Sequence, residues 1–345
     1  MKIQARPLVE NESPPVVRWA WTGAAVALFI VYVFARWFIS GHATPVDPGP
    51  DPVSKTQLAF IFWVQVVALI GGAIAIAGFV VLPWRREGQP TTTGMLYICW
   101  LTLFFQDPMM SYTSASLFYN SYMVNLGSWT LGAVPGWMSP NGHHIAEPLL
   151  LTIVGYTMIG YSLCFPVLAA LNWVKSRFPA ITRLRLAILG VIMLIALDTF
   201  FECLLLRTGV YAYPAAIRAI TLFPGETYQF PLTEGIFYGG LLIGSTMVLL
   251  LYRDDKGQTF VERGIDTLRI SKARRQWVKF FALFGYSHIS MLVLFTIPMQ
   301  WVSLHADPFP KGYPSYMVNG MCEYGPKGDE CPGPGVMMPR PDRPF

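Results

Sequence analysis

The stretch Val191-Ile192-Met193-Leu194-Ile195-Ala196-Leu197-Asp198-Thr199-Phe200-Phe201-Glu202-Cys203-Leu204 belongs to a run apolar enough to cross a bilayer, yet it carries two carboxylates. About 20 apolar residues span the hydrocarbon core as a helix. A charge at the centre of such a helix costs about 2.5–3.5 kcal/mol on insertion scales, so it is usually there for a function. Asp198 and Glu202 stand four residues apart, which places both on one helical face. This one run therefore sets the fold class and the first candidate site.

The apolar character extends along the chain. Of 345 residues, 53% are hydrophobic and 13% charged, with a mean hydropathy of +0.43. Soluble domains carry about 25% charged residues, so these values describe an integral membrane protein. Seven apolar segments approach or reach spanning length: Val16–Ser40, Gln57–Val81, Gly94–Gln106, Pro148–Trp173, Leu184–Leu206, Gly235–Tyr252 and Val278–Leu304. The third is the shortest and is expected to borrow residues from its flanks. Lipid leaves backbone groups no partners outside helices and closed barrels, and no barrel alternation is visible. The expected fold is all-α: a polytopic membrane bundle of seven transmembrane helices.

Lys and Arg orient it. Of 25, 17 fall in the arm before the first span and in alternate connections after it, counted with the helix ends. The loop Asp107–Glu147 contains none. The positive-inside rule then places the N-terminus inside and the C-terminus outside a multi-pass protein of the cell membrane. Residues 1–15 form a cytoplasmic arm, 16–304 a membrane domain with a long outer loop 107–147, and 305–345 an extracytoplasmic Pro/Gly-rich tail. The first span exceeds the 7–15 residues typical of a signal-peptide core, so it is read as retained. Cys322 and Cys331 fall in the tail, on the oxidising side, where a disulfide is expected. Cys99, Cys164 and Cys203 read as packing residues within spans. The connection Arg253–Lys279 sets Phe260, Ile265, Leu268 and Ile270 among charges, the pattern of a short amphipathic helix on the inner leaflet.

Topology turns scattered acids into a site. Asp107 ends the third span, Glu147 precedes the fourth, Asp198 and Glu202 approach the outer end of the fifth, and Glu234 opens the sixth. Five acids from four helices thus share one outer layer, and Arg207 is the one cation placed to pair with them. Low dielectric favours a protonated carboxyl, and a neighbouring carboxylate favours it further. A cluster of this kind can hold one member protonated and another ionised, the pairing that general acid and base work requires. His288 lies mid-span in the seventh helix near Tyr286. His143 and His144 are adjacent rather than four apart, so no metal site is expected. No span carries a central Lys for a retinal-type Schiff base, and no phosphate loop or nucleophile elbow appears. No cofactor and no nucleic-acid partner are implied, and nothing in the chain fixes an oligomeric state.

The outer loop is aromatic, amide-rich and free of cations, so it is expected to pack onto the bundle. Phe118-Tyr119-Asn120-Ser121 with Asn125-Leu126-Gly127-Ser128-Trp129, Ala146-Glu147-Pro148-Leu149-Leu150, Asp198-Thr199-Phe200-Phe201-Glu202 and Gly209-Val210-Tyr211-Ala212-Tyr213 resemble the spirocyclase AveC family over roughly residues 60–310. The resemblance implies a membrane cyclase that closes a dihydroxy-ketone polyketide into a spiroketal, with dehydration in some members. In that chemistry a protonated hemiketal hydroxyl leaves as water, and a second hydroxyl captures the oxocarbenium ion. One carboxylic acid donates and one carboxylate accepts, as in glycoside hydrolysis. Asp198, Glu202, Glu147 and Asp107 are the expected acids and bases. Trp129, Trp137 and Tyr156 would offer π-faces to the cation, Asn120 and Asn125 hydrogen bonds to substrate hydroxyls, and Glu234 and His288 further contacts. The expected partners are an apolar polyketide or lipid-like substrate and the membrane lipids. The rivals are a proton-coupled transporter of a lipid-like solute and a non-catalytic lipid-binding protein.

Overall fold

The computed structural model describes residues 13–130, 132–137 and 144–320. The Cys322–Cys331 pairing, His143, most of the N-terminal arm and the tail beyond 320 lie outside the described residues. The described chain is mostly helical, and six helices are long and apolar enough to cross a membrane. They are α1 (Pro15–Ile39), α2 (Lys55–Glu87), α4 (Leu149–Arg177), α5 (Arg183–Leu206), α6 (Leu232–Leu251) and α7 (Lys272–Leu304). The third apolar segment forms a shorter helix, α3 (Thr92–Leu101), followed by the 3-10 turns Leu103–Gln106 and Pro108–Ser111. A last short helix, α8, covers Ser315–Val318.

Local sequence explains the helix ends. Ser54, Thr91, Thr182 and Ser271 accept from the backbone three residues on, each satisfying a donor that an open helix start leaves unpaired. Four of the long helices contain a widened π turn, at Ala77–Val81, Tyr156–Gly160, Gly235–Ile243 and Leu292–Thr296. Pro83, Pro166 and Pro298 follow three of them. A proline lacks the N–H of the regular ladder and its ring crowds the carbonyl four residues back, so the preceding turn opens. In α6 a run of glycines accompanies the widening.

Small residues let helices approach closely, as expected where apolar association adds little in lipid. A Cβ on Gly23 of α1 would fall 1.9 Å from the carbonyl oxygen of Phe281 in α7, and one on Gly285 2.6 Å from that of Trp19. The α5–α6 crossing works the same way through Gly235, Gly239, Gly240 and Gly244, which face Thr199, Asp198, Ile195 and Val191.

Two ends of the bundle are held by different networks. At one, the backbone N–H of Val16 donates to Arg263 O at 3.3 Å. Buried Glu262 there receives the hydroxyl of Thr92 at 2.6 Å and the ammonium of Lys279 at 3.0 Å. The 253–271 connection is folded by these contacts into turns with a single 3-10 segment, Ile265–Thr267. The expected amphipathic helix is therefore absent: of the apolar residues that suggested it, Ile265 is buried with Val261 and Glu262, while Phe260 stays exposed.

At the other end, the 107–147 loop packs down on the bundle. Its strand β1 (Phe118–Tyr119) pairs antiparallel with β2 (Tyr211–Ala212) from the connection after α5. A second ribbon joins β3 (Thr221–Leu222) to β4 (Phe230–Pro231) just before α6. Asn125 organises the loop: its Oδ1 accepts from Val46 N and Gly127 N, while its Nδ2 donates to Ser121 O and Met123 O. Gly127, at φ 71°, adopts a left-handed conformation that its lack of a side chain permits. A Cβ there would also crowd Thr44 O at 3.0 Å.

Candidate functional site

The loop and four helices enclose a cavity of about 100 Å³. Asp107, at the end of the 3-10 turn after α3, lines it together with Glu202 of α5 and Glu234 of α6. Tyr119, Tyr156, Tyr211, Tyr213 and Tyr238 line it too, with the apolar residues Leu151, Ile159, Leu205 and Phe295. Three widened turns meet here, contributing Tyr156, Tyr238 and Phe295. A widened turn re-aims side chains that a regular helix would point elsewhere, which is why such turns recur at functional sites.

The tyrosines act on the carboxylates. Both oxygens of Asp107 accept phenol hydrogen bonds at 2.5 Å, Oδ2 from Tyr119 and Oδ1 from Tyr156. Glu202 Oε2 accepts from Tyr211 at 2.5 Å and Tyr213 at 3.1 Å. The β-pairing explains the set. Tyr119 and Tyr211 are register partners and so present their side chains on one face, and Tyr213 follows two residues later on that face.

Behind the cavity lining lie two further acids. Glu147 sits beside Asp107, fully buried, and neither of its carboxylate oxygens has a hydrogen-bond partner. Burial pushes its pKa well above the usual carboxyl range, and the neighbouring Asp107 pushes it further. Asp198 lies behind Glu202 and Glu234, fully buried with both oxygens unpartnered. Carboxylate oxygens of Asp198, Glu202 and Glu234 all lie within 4.8 Å of one another.

All five acids are therefore buried at one end of the bundle, none more than 7% exposed. Asp107, Glu202 and Glu234 reach the cavity; Asp198 and Glu147 back them. Arg207, the cation placed to pair with them, does not neutralise them. It is exposed, donates to Cys203 O at 3.0 Å, and covers the rings of Phe223 and Tyr228 at 4.4 and 4.9 Å.

Of the other expected contacts, Glu234 and Tyr156 line the cavity and the rest lie elsewhere. Tyr156 reaches the cavity, although its phenol donates to Asp107. The Asn120 amide donates to Gly209 O and accepts from Tyr122 N, and Asn125 is occupied by the loop backbone. Trp129 is buried among Phe34, Trp37, Phe104 and Phe105, with its indole N–H on Phe105 O. Trp137 packs edge-on against Tyr112 at 4.8 Å. His288 is buried between Thr102 and Gln106, at 3.0 and 3.2 Å, where it joins α7 to α3. Tyr119, Tyr211 and Tyr213 lie in the segments that carry the family resemblance, but the sequence assigned no site role to them or to Tyr238. The Tyr-x-Tyr alternation at 211–213, flanked by a glycine turn, was the available signal.

The family model described as spirocyclase AveC-like matches residues 84–318. The chain belongs to the spirocyclase AveC-like family. The matched region contains all five acids and all five cavity tyrosines, and leaves out α1 and most of α2. No curated protein and no solved structure matches the chain.

Proposed function

We propose that this spirocyclase AveC-like protein is an acid/base cyclase that closes a hydroxylated ketone of polyketide or lipid-like character into a spiroketal with loss of water. The observation that carries this is that Asp107 and Glu202, brought in by different elements, both line one tyrosine-rich cavity. Two carboxyl groups flanking a small space are what an oxocarbenium reaction needs, one to protonate the departing oxygen and one to receive the proton of the attacking hydroxyl.

The steps follow from that placement. One substrate hydroxyl adds to the ketone carbon, giving a hemiketal. Asp107, kept supplied with a proton by the adjacent Glu147, protonates the hemiketal hydroxyl, whose C–O bond breaks to release water. The second hydroxyl attacks the oxocarbenium carbon and gives its proton to Glu202. Transfer of that proton back towards Asp107 restores the site, so two O–H bonds are lost and one water forms. The tyrosines hold both carboxylates in place and face the developing cation with their rings. The cavity holds the reacting segment only. Leu151, Gly155, Ile159 and Leu205 of its lining are partly exposed, which supports entry of the remaining substrate from lipid.

Seven membrane passes with the N-terminus inside are part of this reading. The start of α3 lies with Glu262 and the end of its 3-10 extension with Tyr119, at opposite ends of the bundle. That supports a seventh, non-uniform crossing, and the cation distribution supports its direction. The site then opens near the non-cytoplasmic face of the cell membrane. Among the described residues the only buried acid elsewhere is Glu262, already tied to Lys279. A proton relay through the whole membrane would need more. Metabolite profiling of a deletion strain tests the proposal: an open-chain hydroxy-ketone, or a hydrated precursor, should accumulate. An unchanged profile with altered solute uptake would overturn it in favour of transport.

A further inference from the structure

Asp198, Glu202 and Glu234 form a compact group of oxygen donors beside the cavity. Their carboxylate oxygens lie within 4.8 Å of one another. Ligand oxygens sit about 2.3–2.6 Å from Ca²⁺ and about 2.0–2.1 Å from Mg²⁺, so oxygens on opposite sides of one ion are separated by about twice that. The three groups can therefore reach a common ion with little or no movement of α5 or α6. Glu202 and Glu234 also face the cavity, which leaves room for water or substrate oxygens to complete the coordination.

A second observation points the same way. Asp198 is fully buried and no hydroxyl, amide or cation donates to either of its oxygens; the polar group it meets is the carboxyl of Glu234, whose Oε2 also lacks a donor. Buried polar atoms are nearly always satisfied, and groups that are not call for an explanation. Both phenol donors of this group go to Oε2 of Glu202. Among the described residues no Lys or Arg pairs with the three acids, and Arg207 is turned away on Phe223 and Tyr228. A set made only of carboxylate oxygens suits a hard divalent cation, and lacks the nitrogen or sulfur that softer metals prefer.

We propose that Asp198, Glu202 and Glu234 hold a hard divalent cation of the Mg²⁺, Mn²⁺ or Ca²⁺ type. The inference departs from the sequence-based expectation of a metal-free site. Its mechanistic consequence rests on the cyclase reading: the cation keeps Glu202 ionised between turnovers, ready to receive the proton of the attacking hydroxyl. Cation binding itself does not depend on that reading.

The test is Mn²⁺ titration of the purified full-length protein in detergent, followed by electron paramagnetic resonance of the free ion. Wild type should take up one ion per chain, displaced by excess Mg²⁺ or Ca²⁺. Glu234→Gln and Asp198→Asn should each weaken binding at least tenfold, whereas Asp107→Asn should leave it within threefold. Gel filtration and thermal unfolding without metal report whether the variants fold. Should either fail to fold, the ion should still shift the wild-type unfolding temperature upward. Absence of saturable uptake by wild type, or uptake unchanged in both triad variants, overturns the proposal. Chelated protein that still converts a dihydroxy-ketone at the full rate overturns the catalytic consequence while leaving the cyclase reading intact. Mn²⁺ uptake by protein that never converts such ketones does the reverse.

Discussion

Gly239 of α6 touches Asp198 of α5 so closely that a Cβ at this position would lie 2.8 Å from the Asp198 Cβ and 2.9 Å from its Oδ2. The carboxylate fits between the helices only because residue 239 has no side chain. Gly239→Ala should push Asp198 out of the group it forms with Glu202 and Glu234. Overpacking of this kind costs about 1–3 kcal/mol. The expected outcome is a lower unfolding temperature and at least a tenfold loss of cyclised product, measured on protein that still elutes as wild type. Wild-type turnover in this variant would contradict the described crossing.

Tyr211 and Tyr213 hold the same oxygen of Glu202 unequally, at 2.5 and 3.1 Å. A hydrogen bond to a charged group contributes about 1.5–3 kcal/mol. Lost wholly from the transition state, that corresponds to about 10–100-fold in rate. Tyr211→Phe should therefore reduce turnover more than Tyr213→Phe in steady-state assays. A reversed order would show that Glu202 is not oriented by the β-ribbon.

Glu147 has its pKa raised by burial and by Asp107. A carboxyl whose folded pKa lies above its unfolded value contributes stability that is complete below about pH 4, and is lost as pH rises through the folded pKa. Unfolding temperature should fall as pH rises above the usual carboxyl range, and Glu147→Gln should flatten that slope and stabilise the protein at alkaline pH. If Asp107 and Glu147 carry the catalytic proton, turnover should decline with rising pH over the same window. A pH-independent unfolding temperature in wild type would show that Glu147 is not held protonated.

Asn125 joins the α1–α2 connection to the loop through four backbone partners and does not line the cavity. Asn125→Ala leaves buried donors and acceptors unpaired, each costing about 1–3 kcal/mol. The expected result is a clear drop in unfolding temperature with the KM of the surviving fraction unchanged. A raised KM without loss of stability would instead restore Asn125 as a substrate contact.

The acids were legible in the sequence because a carboxylate in an apolar run conflicts with its surroundings. Asp107, Glu147, Asp198, Glu202 and Glu234 gather as that argument implied. The amides and tryptophans were less legible. Asn and Trp serve loop scaffolding and substrate binding equally well, and Asn120, Asn125 and Trp129 are used by the backbone and the aromatic core. Tyrosines sit in any membrane interface, so Tyr119 and Tyr211 became informative only through a strand pairing between residues 92 positions apart. The 253–271 connection misled because its apolar residues match a helical face, whereas turns around Glu262 bury Ile265 and leave Phe260 exposed.

The most direct measurement reconstitutes the purified chain in liposomes and follows a dihydroxy-ketone by mass spectrometry and chiral chromatography. Wild type should yield a product lighter by one water and enriched in one spiroketal stereoisomer, while Asp107→Asn and Glu202→Gln should each fall by about 10²–10⁴-fold, the usual contribution of a positioned acid or base. Equal conversion by wild type and both variants, with the isomer ratio of the uncatalysed reaction, would contradict catalysis by the carboxyl-lined cavity.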